Sequence, residues 1–161
     1  MLKADFIKVV KSTLKKAEIN YGFIRDKGIF HFVWESEDEL LNGIKIVIVP
    51  EREIGRYANF YAIYPQKAIC CPEEMAEFLT MANYSLPLGN FELDLIDGEI
   101  RFKMSVYPES DQIPSEGKII GTICGVYKMY ERYAKGIMAI INEELNPDEA
   151  IALCERQDND D

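Results

Sequence analysis

The chain has 161 residues, 48% of them hydrophobic and 29% charged, which suits one compact domain burying about 70% of the surface its unfolded chain exposes. Eighteen Lys and Arg against 28 Asp and Glu give a net charge of −10, a field that repels nucleic acid and anionic lipid, so neither is expected as a partner. The longest apolar runs, such as Ile44 to Val49 interrupted by Lys45, fall far short of the roughly 20 residues a membrane span needs. Met1 to Ser12 alternate charged and apolar side chains and lack the apolar centre of a secretory signal, which points to the cytoplasm.

In chain order, Leu2, Phe6, Val9, Val10, Leu14 and Ala17 recur every three or four positions and predict an amphipathic helix from about Leu2 to Ile19. Lys8, Lys11, Lys15 and Lys16 share one of its faces, either a solvated surface or a docking stripe for an acidic partner. Asn20, Gly22 and Asp26-Lys27-Gly28 break the helical period. Three strands are then expected: Ile29 to Glu35, Ile44 to Val49 closed by Pro50, and Tyr57 to Tyr64 closed by Pro65. They read as a meander. Pro72 followed by Glu73 and Glu74 starts a second helix to about Tyr84, with Met75, Phe78, Leu79 and Ala82 as its buried stripe.

Asp97-Gly98 lies between two alternating runs and calls for a two-residue hairpin turn. Counting outward places Leu95 opposite Ile100, Leu93 opposite Phe102, Asp94 opposite Arg101 and Glu92 opposite Lys103, so one face is apolar and the other pairs opposite charges. Glu92 and Asp94 have the spacing of a catalytic carboxylate pair, but the cationic cross-strand partners account for them structurally.

A long third helix is expected from about Ser115 to Leu145, on a stripe that includes Ile119, Ile123, Val126, Tyr130, Ile137 and Ile140. Gly117, Gly121 and Gly125 fall at four-residue steps along it. Such a ridge packs tightly on the sheet or forms a helix contact between two subunits. Asn146-Pro147-Asp148-Glu149 starts a short helix to about Arg156, followed by a disordered acidic end, Asp158 to Asp161. Residues 1–145 are thus read as a single α+β domain and 146–161 as an appended helix and tail.

The chemistry sought gives little. There is no phosphate-binding glycine loop, no dinucleotide fingerprint and no nucleophile elbow. His31 is the single histidine and sits in an apolar strand, more simply a satisfied strand residue than an acid or base. Cys70, Cys71, Cys124 and Cys154 lack metal-ligand spacing, so no metal and no cofactor is expected. Cys70 and Cys71 are either a redox-sensitive pair or ordinary buried thiols in a reducing compartment.

What stands out is that the first three strands are apolar on both faces: Phe30, Phe32 and Trp34 alternate with Ile29, His31 and Val33, and Ile44, Ile46 and Ile48 with Val47 and Val49. One face can take the helices. The other needs the long helix, a second subunit or an extended partner chain to cover it. Val47, Val49, Tyr57, Tyr61, Ile63 and the three glycines are the candidate partner or dimer surface. The alternative from another class is a small-ligand or enzymatic pocket between the sheet and the long helix, with Tyr127, Tyr130 and Arg56 as its polar groups.

Asn83, Leu86-Pro87-Leu88-Gly89, Phe91-Glu92-Leu93-Asp94 and Gly98-Glu99-Ile100 resemble the signature of the bacterial YbjN-like family of sensory-transduction regulators. That family is similar in fold to the class I type III secretion chaperones. The element order read above, α-β-β-β-α-β-β-α(-α) with a five-stranded antiparallel sheet, supports the resemblance, which implies an α+β domain, homodimerisation, and a role in binding proteins or peptides rather than catalysis. It brings no catalytic residues. The reading is a non-enzymatic cytoplasmic protein-binding domain, chaperone-like or a regulatory adaptor.

Overall fold

The computed structural model describes residues 3–50, 58–84, 86–107 and 113–155. Helix α1 (Lys3–Lys16) leads into a run of strands, β1 (Gly22–Ile24), β2 (Ile29–Trp34), β3 (Ile44–Pro50) and β4 (Ala58–Lys67). Helix α2 (Pro72–Tyr84), the hairpin β5 (Asn90–Leu93) and β6 (Glu99–Val106), and helices α3 (Glu116–Ile141) and α4 (Pro147–Glu155) follow. The six strands form one antiparallel sheet in the order β1-β2-β3-β4-β6-β5. The expected five strands become six because Gly22–Ile24 pairs with β2. Three residues are too few to display a period of two, and Gly22 reads as a breaker.

The two short hairpins, β1–β2 and β5–β6, use the same solution. Ile24 pairs with Ile29 across the loop 25–28, and Gly28 donates its amide to the Ile24 carbonyl at 2.7 Å with φ of 73°. In the second, Gly98 donates to the Asp94 carbonyl at 2.8 Å with φ of 74°. Four-residue loops ending on a left-handed glycine thus replace the expected two-residue turn. Asp94 adds a side-chain bond from the Ile96 amide at 2.8 Å, a local turn an aspartate favours. The register consequently moves by two: Leu93 faces Ile100, Glu92 faces Arg101 and Phe91 faces Phe102. An even shift keeps every side chain on its expected face. The exceptions are Leu95 and Ile96, expected in the strand, which are 70% and 96% exposed in the loop. Strand β4 also runs beyond Pro65, which falls inside the register irregularity between Ile63 and Lys67, where a proline needs no ladder partner.

Helices α1 and α3 pack on one face of the sheet, burying Phe30, Ile46, Ile48, Phe60, Ala62 and Phe102 completely. From α1 come Phe6, Val10 and Leu14, whereas Val9 is half-buried and Ala17 exposed; Leu2 lies outside the described residues. Tyr130 of α3 is fully buried and donates its hydroxyl to the Ala62 carbonyl at 2.9 Å, pinning the helix to β4. Ser12 and Lys16 both reach Glu116, tying α1 to the first turn of α3 at 2.8 Å. Ser115 caps that turn by accepting from the Lys118 amide. Asn146 and Glu149 exchange bonds at 3.1 and 3.0 Å in a reciprocal cap for α4.

The tight helix contact falls at a glycine outside the expected ridge. A Cβ on Gly136 would lie 2.7 Å from Cys154 Sγ of α4 and 2.8 Å from the Phe78 ring of α2. Along Gly117, Gly121 and Gly125, only at Gly125 would an added Cβ meet another described element, 3.1 Å from Met104 Sδ, and one at Gly121 would meet nothing within 4 Å. Close packing therefore explains the last step of the ridge and not the first two.

Candidate functional site: the open face of the sheet

Side chains at the alternate positions of the strands point away from the helices. Cross-strand pairing arranges them in rows: Gly22, His31, Val47, Tyr61, Lys103 and Asn90 in one, Val33, Lys45, Ile63, Arg101 and Glu92 in the next. Val49, Asn59 and Ser105 form a third. Among the described residues no helix lies over this face: its members stay half-exposed or exposed, and Val33 is 57% exposed. The long helix lies on the other side. Two-sided apolarity in the middle strands has thus produced one covered face and one open one.

The open face is divided lengthwise. Towards β2 and β3 it is apolar, with Ile29, Val33, Val47 and Val49; Tyr61 and Ile63 continue it onto β4. Towards β6 and β5 it is ionic. Glu92 takes Arg101 Nε on Oε2 at 2.7 Å and Lys103 Nζ on Oε1. Burial alone would raise the Glu92 carboxyl, yet the two cations outweigh it and hold the group below its ordinary range. Burial likewise works against the Arg101 charge, and Glu92 beside it raises that pKa. The Arg101 guanidinium lies 4.8 Å from the Tyr61 ring centroid, so the boundary between the two halves is a cation–π contact.

Of the candidate surface residues, Val47, Val49, Tyr61 and Ile63 come together here, with Val47 directly opposite Tyr61. Tyr57 lies outside the described residues. Gly117, Gly121 and Gly125 belong to α3, on the far side of the sheet, so the eight residues do not form one surface. Lys45 was not singled out in the sequence, and Arg101 and Lys103 were read only as cross-strand partners of Asp94 and Glu92, although their parity with Glu92 and Val47 was countable.

The other candidate groups are occupied elsewhere. Tyr130 is in the closed core and Tyr127, 8% exposed, stacks on Trp34 with centroids 4.7 Å apart. The space proposed for a pocket beneath α3 is filled at both tyrosines, and Arg56 lies outside the described residues. His31 extends over Gly22, where an added Cβ would meet its ring at 2.4 Å. Of Lys8, Lys11, Lys15 and Lys16, three have partners: Lys8 with Asp5, Lys16 with Glu116 and Lys11 over the Phe23 ring at 4.3 Å. Cys70 is exposed and Cys71 buried, with their sulfurs 3.5 Å apart; burial and the neighbouring thiol push Cys71 up to about 12. The family-signature residues prove to be the splice between α2 and β5. Asn83 accepts from the Phe91 amide at 2.6 Å and donates to its carbonyl at 3.0 Å. Gly89, at φ of 77°, lets Lys103 O and the Phe102 ring approach to where a Cβ would stand 2.7 Å away.

No family model matches the chain. No curated protein matches it. Solved structures do. The ExsC-ExsE complex matches with a TM-score of 0.61 at 10% identity, over 83% of this chain and 93% of that one. YbjN from E. coli, described as a candidate transcription regulator, matches at 0.55 and 12%, over 84% and 89%. The Yersinia pestis type III secretion chaperone SycH, in complex with a stable fragment of YscM2, matches at 0.51 and 9%, over 78% and 97%. The chain therefore has the fold that its short motif led one to expect, shared by YbjN and by type III secretion chaperones.

Proposed function

We propose that this protein is a non-enzymatic binding protein, chaperone-like or a regulatory adaptor, that holds a segment of another protein against the open face of its sheet. The observation that carries the reading is the group of apolar side chains, Val33, Val47, Val49, Tyr61 and Ile63, which no described helix covers. A contiguous apolar patch of this kind on a chain with net charge −10 is an interaction surface by default. The fold neighbours support it: ExsC and SycH were each solved with a protein bound. Homodimerisation, which the resemblance implies, belongs to the same reading, as does action in the cytoplasm.

The test is site-specific photocrosslinking in cells, with benzoylphenylalanine replacing Tyr61 on the open face or Lys128 on the exposed side of α3. Adducts are expected from position 61 and not from position 128, and mass spectrometry then identifies the partner. Identical adducts from both positions, or none from 61, would overturn the proposal.

A further inference from the structure

The division of the open face into an apolar and an ionic half carries information about what fits it. The charged side chains on the strands of this face are Lys45, Lys67, Arg101 and Lys103 against Glu92 and Glu99, with Lys67 also paired to Asp97 in the adjoining loop, a cationic balance on a molecule whose total is −10. Glu92 takes Arg101 Nε and Lys103 Nζ, and Glu99 Oε1 lies 3.8 Å from Arg101 Nη1; with side-chain exposures of 41% and 29%, the multiple N–H groups of Arg101 and Lys103 can take a further acceptor. Lys45 is exposed at one end of the apolar strip, between Val33 and Ile63. An incoming basic segment would face net repulsion here, whereas carboxylates would meet ready donors.

The dimensions accommodate a helix. The seven residues of β3 span about 23 Å, the length of about 15 helical residues, and a helix about 10 Å across covers two strands spaced about 4.8 Å apart. Laid along β3 and β4, such a helix would rest its apolar stripe on Val47, Val49, Tyr61 and Ile63. One flank would then lie over β6, beside Arg101 and Lys103. Resting on the function proposed above, we propose that the occupant of the open face is an amphipathic helix of a partner protein with Asp and Glu along one flank of its apolar stripe.

The full-length protein can be titrated against two fluorescein-labelled 18-residue peptides sharing one leucine stripe, one flanked by Glu and the other by Lys, with anisotropy as the readout. The Glu-flanked peptide is expected to bind at least tenfold tighter, and to weaken severalfold between roughly 50 and 300 mM salt as screening shortens. Lys103→Glu is expected to cost it about tenfold. Lys45→Glu, at an exposed position that leaves the Glu92 pairs intact, gives a second reading should Lys103→Glu lower the melting temperature. Equal binding of both peptides would overturn the acidic-helix proposal and leave a protein-binding face standing. Binding of neither would overturn both, and Glu-peptide binding unchanged by Val47→Glu would place the peptide elsewhere and overturn the proposal.

Discussion

The two faces of the sheet differ by one step along each strand, and that step separates two kinds of residue. On the covered side Ile46, Ile48, Phe60 and Phe102 have no exposed surface and meet side chains from α1 and α3. On the open side Val47, Tyr61 and Ile63 are also largely apolar, but among the described residues no helix side chains shield them. The covered face is accounted for by folding. The open one buries less of its apolar surface when a single chain folds, and the part left accessible needs another explanation, which binding supplies.

The comparison breaks most easily at adjacent positions. Ile46→Ala should destabilise by about 2–5 kcal/mol, as expected where a buried aliphatic leaves a cavity. Val47→Ala, one residue on, should cost under about 1 kcal/mol. Urea unfolding of the two variants reads the difference directly, and equal losses would mean that the open face is packed after all.

A second contrast lies within α3. Gly136→Ala would drive a methyl into Cys154 and Phe78 and should cost about 1–3 kcal/mol. Gly121→Ala meets nothing within 4 Å and should stabilise by about 0.5–1 kcal/mol through helix propensity alone. Opposite shifts in thermal midpoint are the expected outcome. A loss at Gly121 would reveal a contact made there by something besides the described chain.

The smallest effect concerns the ionic half of the open face. Glu92 is held below its ordinary carboxylate value of 4.5 in the folded protein, because Lys103 and Arg101 overcome the opposing effect of burial. A depressed carboxyl contributes its stability in full above the unfolded value and loses it as pH falls through the folded one. Glu92→Gln should therefore lower the melting temperature at neutral pH and flatten its decline below about pH 4.5. A variant whose acid profile parallels the wild type would show that the ion pairs contribute nothing to folding.

How much of this was legible follows from the same geometry. Parity along β2, β3 and β6 was countable from alternation, so the residues of each face were sorted correctly even where the hairpin register slipped by two. Which face the helices would choose was not countable, since Phe-Ile and Val-Tyr sets of similar hydrophobicity alternate and only tertiary packing decides. Strand β1 escaped notice because its pairing to β2, rather than its own composition, makes it a strand. The glycine ridge was misjudged for a related reason. Spacing on one helix identified Gly117, Gly121 and Gly125, while the close approach at Gly136 depends on where α2 and α4 cross α3. Asn83 and Gly89 were recognised as a family pattern, but only coordinates reveal that their work is joining α2 to the β5–β6 hairpin. The cationic side of the open face, Arg101 and Lys103, was read as cross-strand pairing alone; its contact with Tyr61 places it at the border of the apolar strip.

The central claim is that one apolar face of this sheet stays open in the free protein. Methyl NMR with a soluble paramagnetic agent tests it without mutation. Strong relaxation enhancement is expected at Val33, Val47, Val49 and Ile63 and almost none at Ile44, Ile46 and Ile48. Equal protection of the two sets would show the face covered in the free protein and contradict the account.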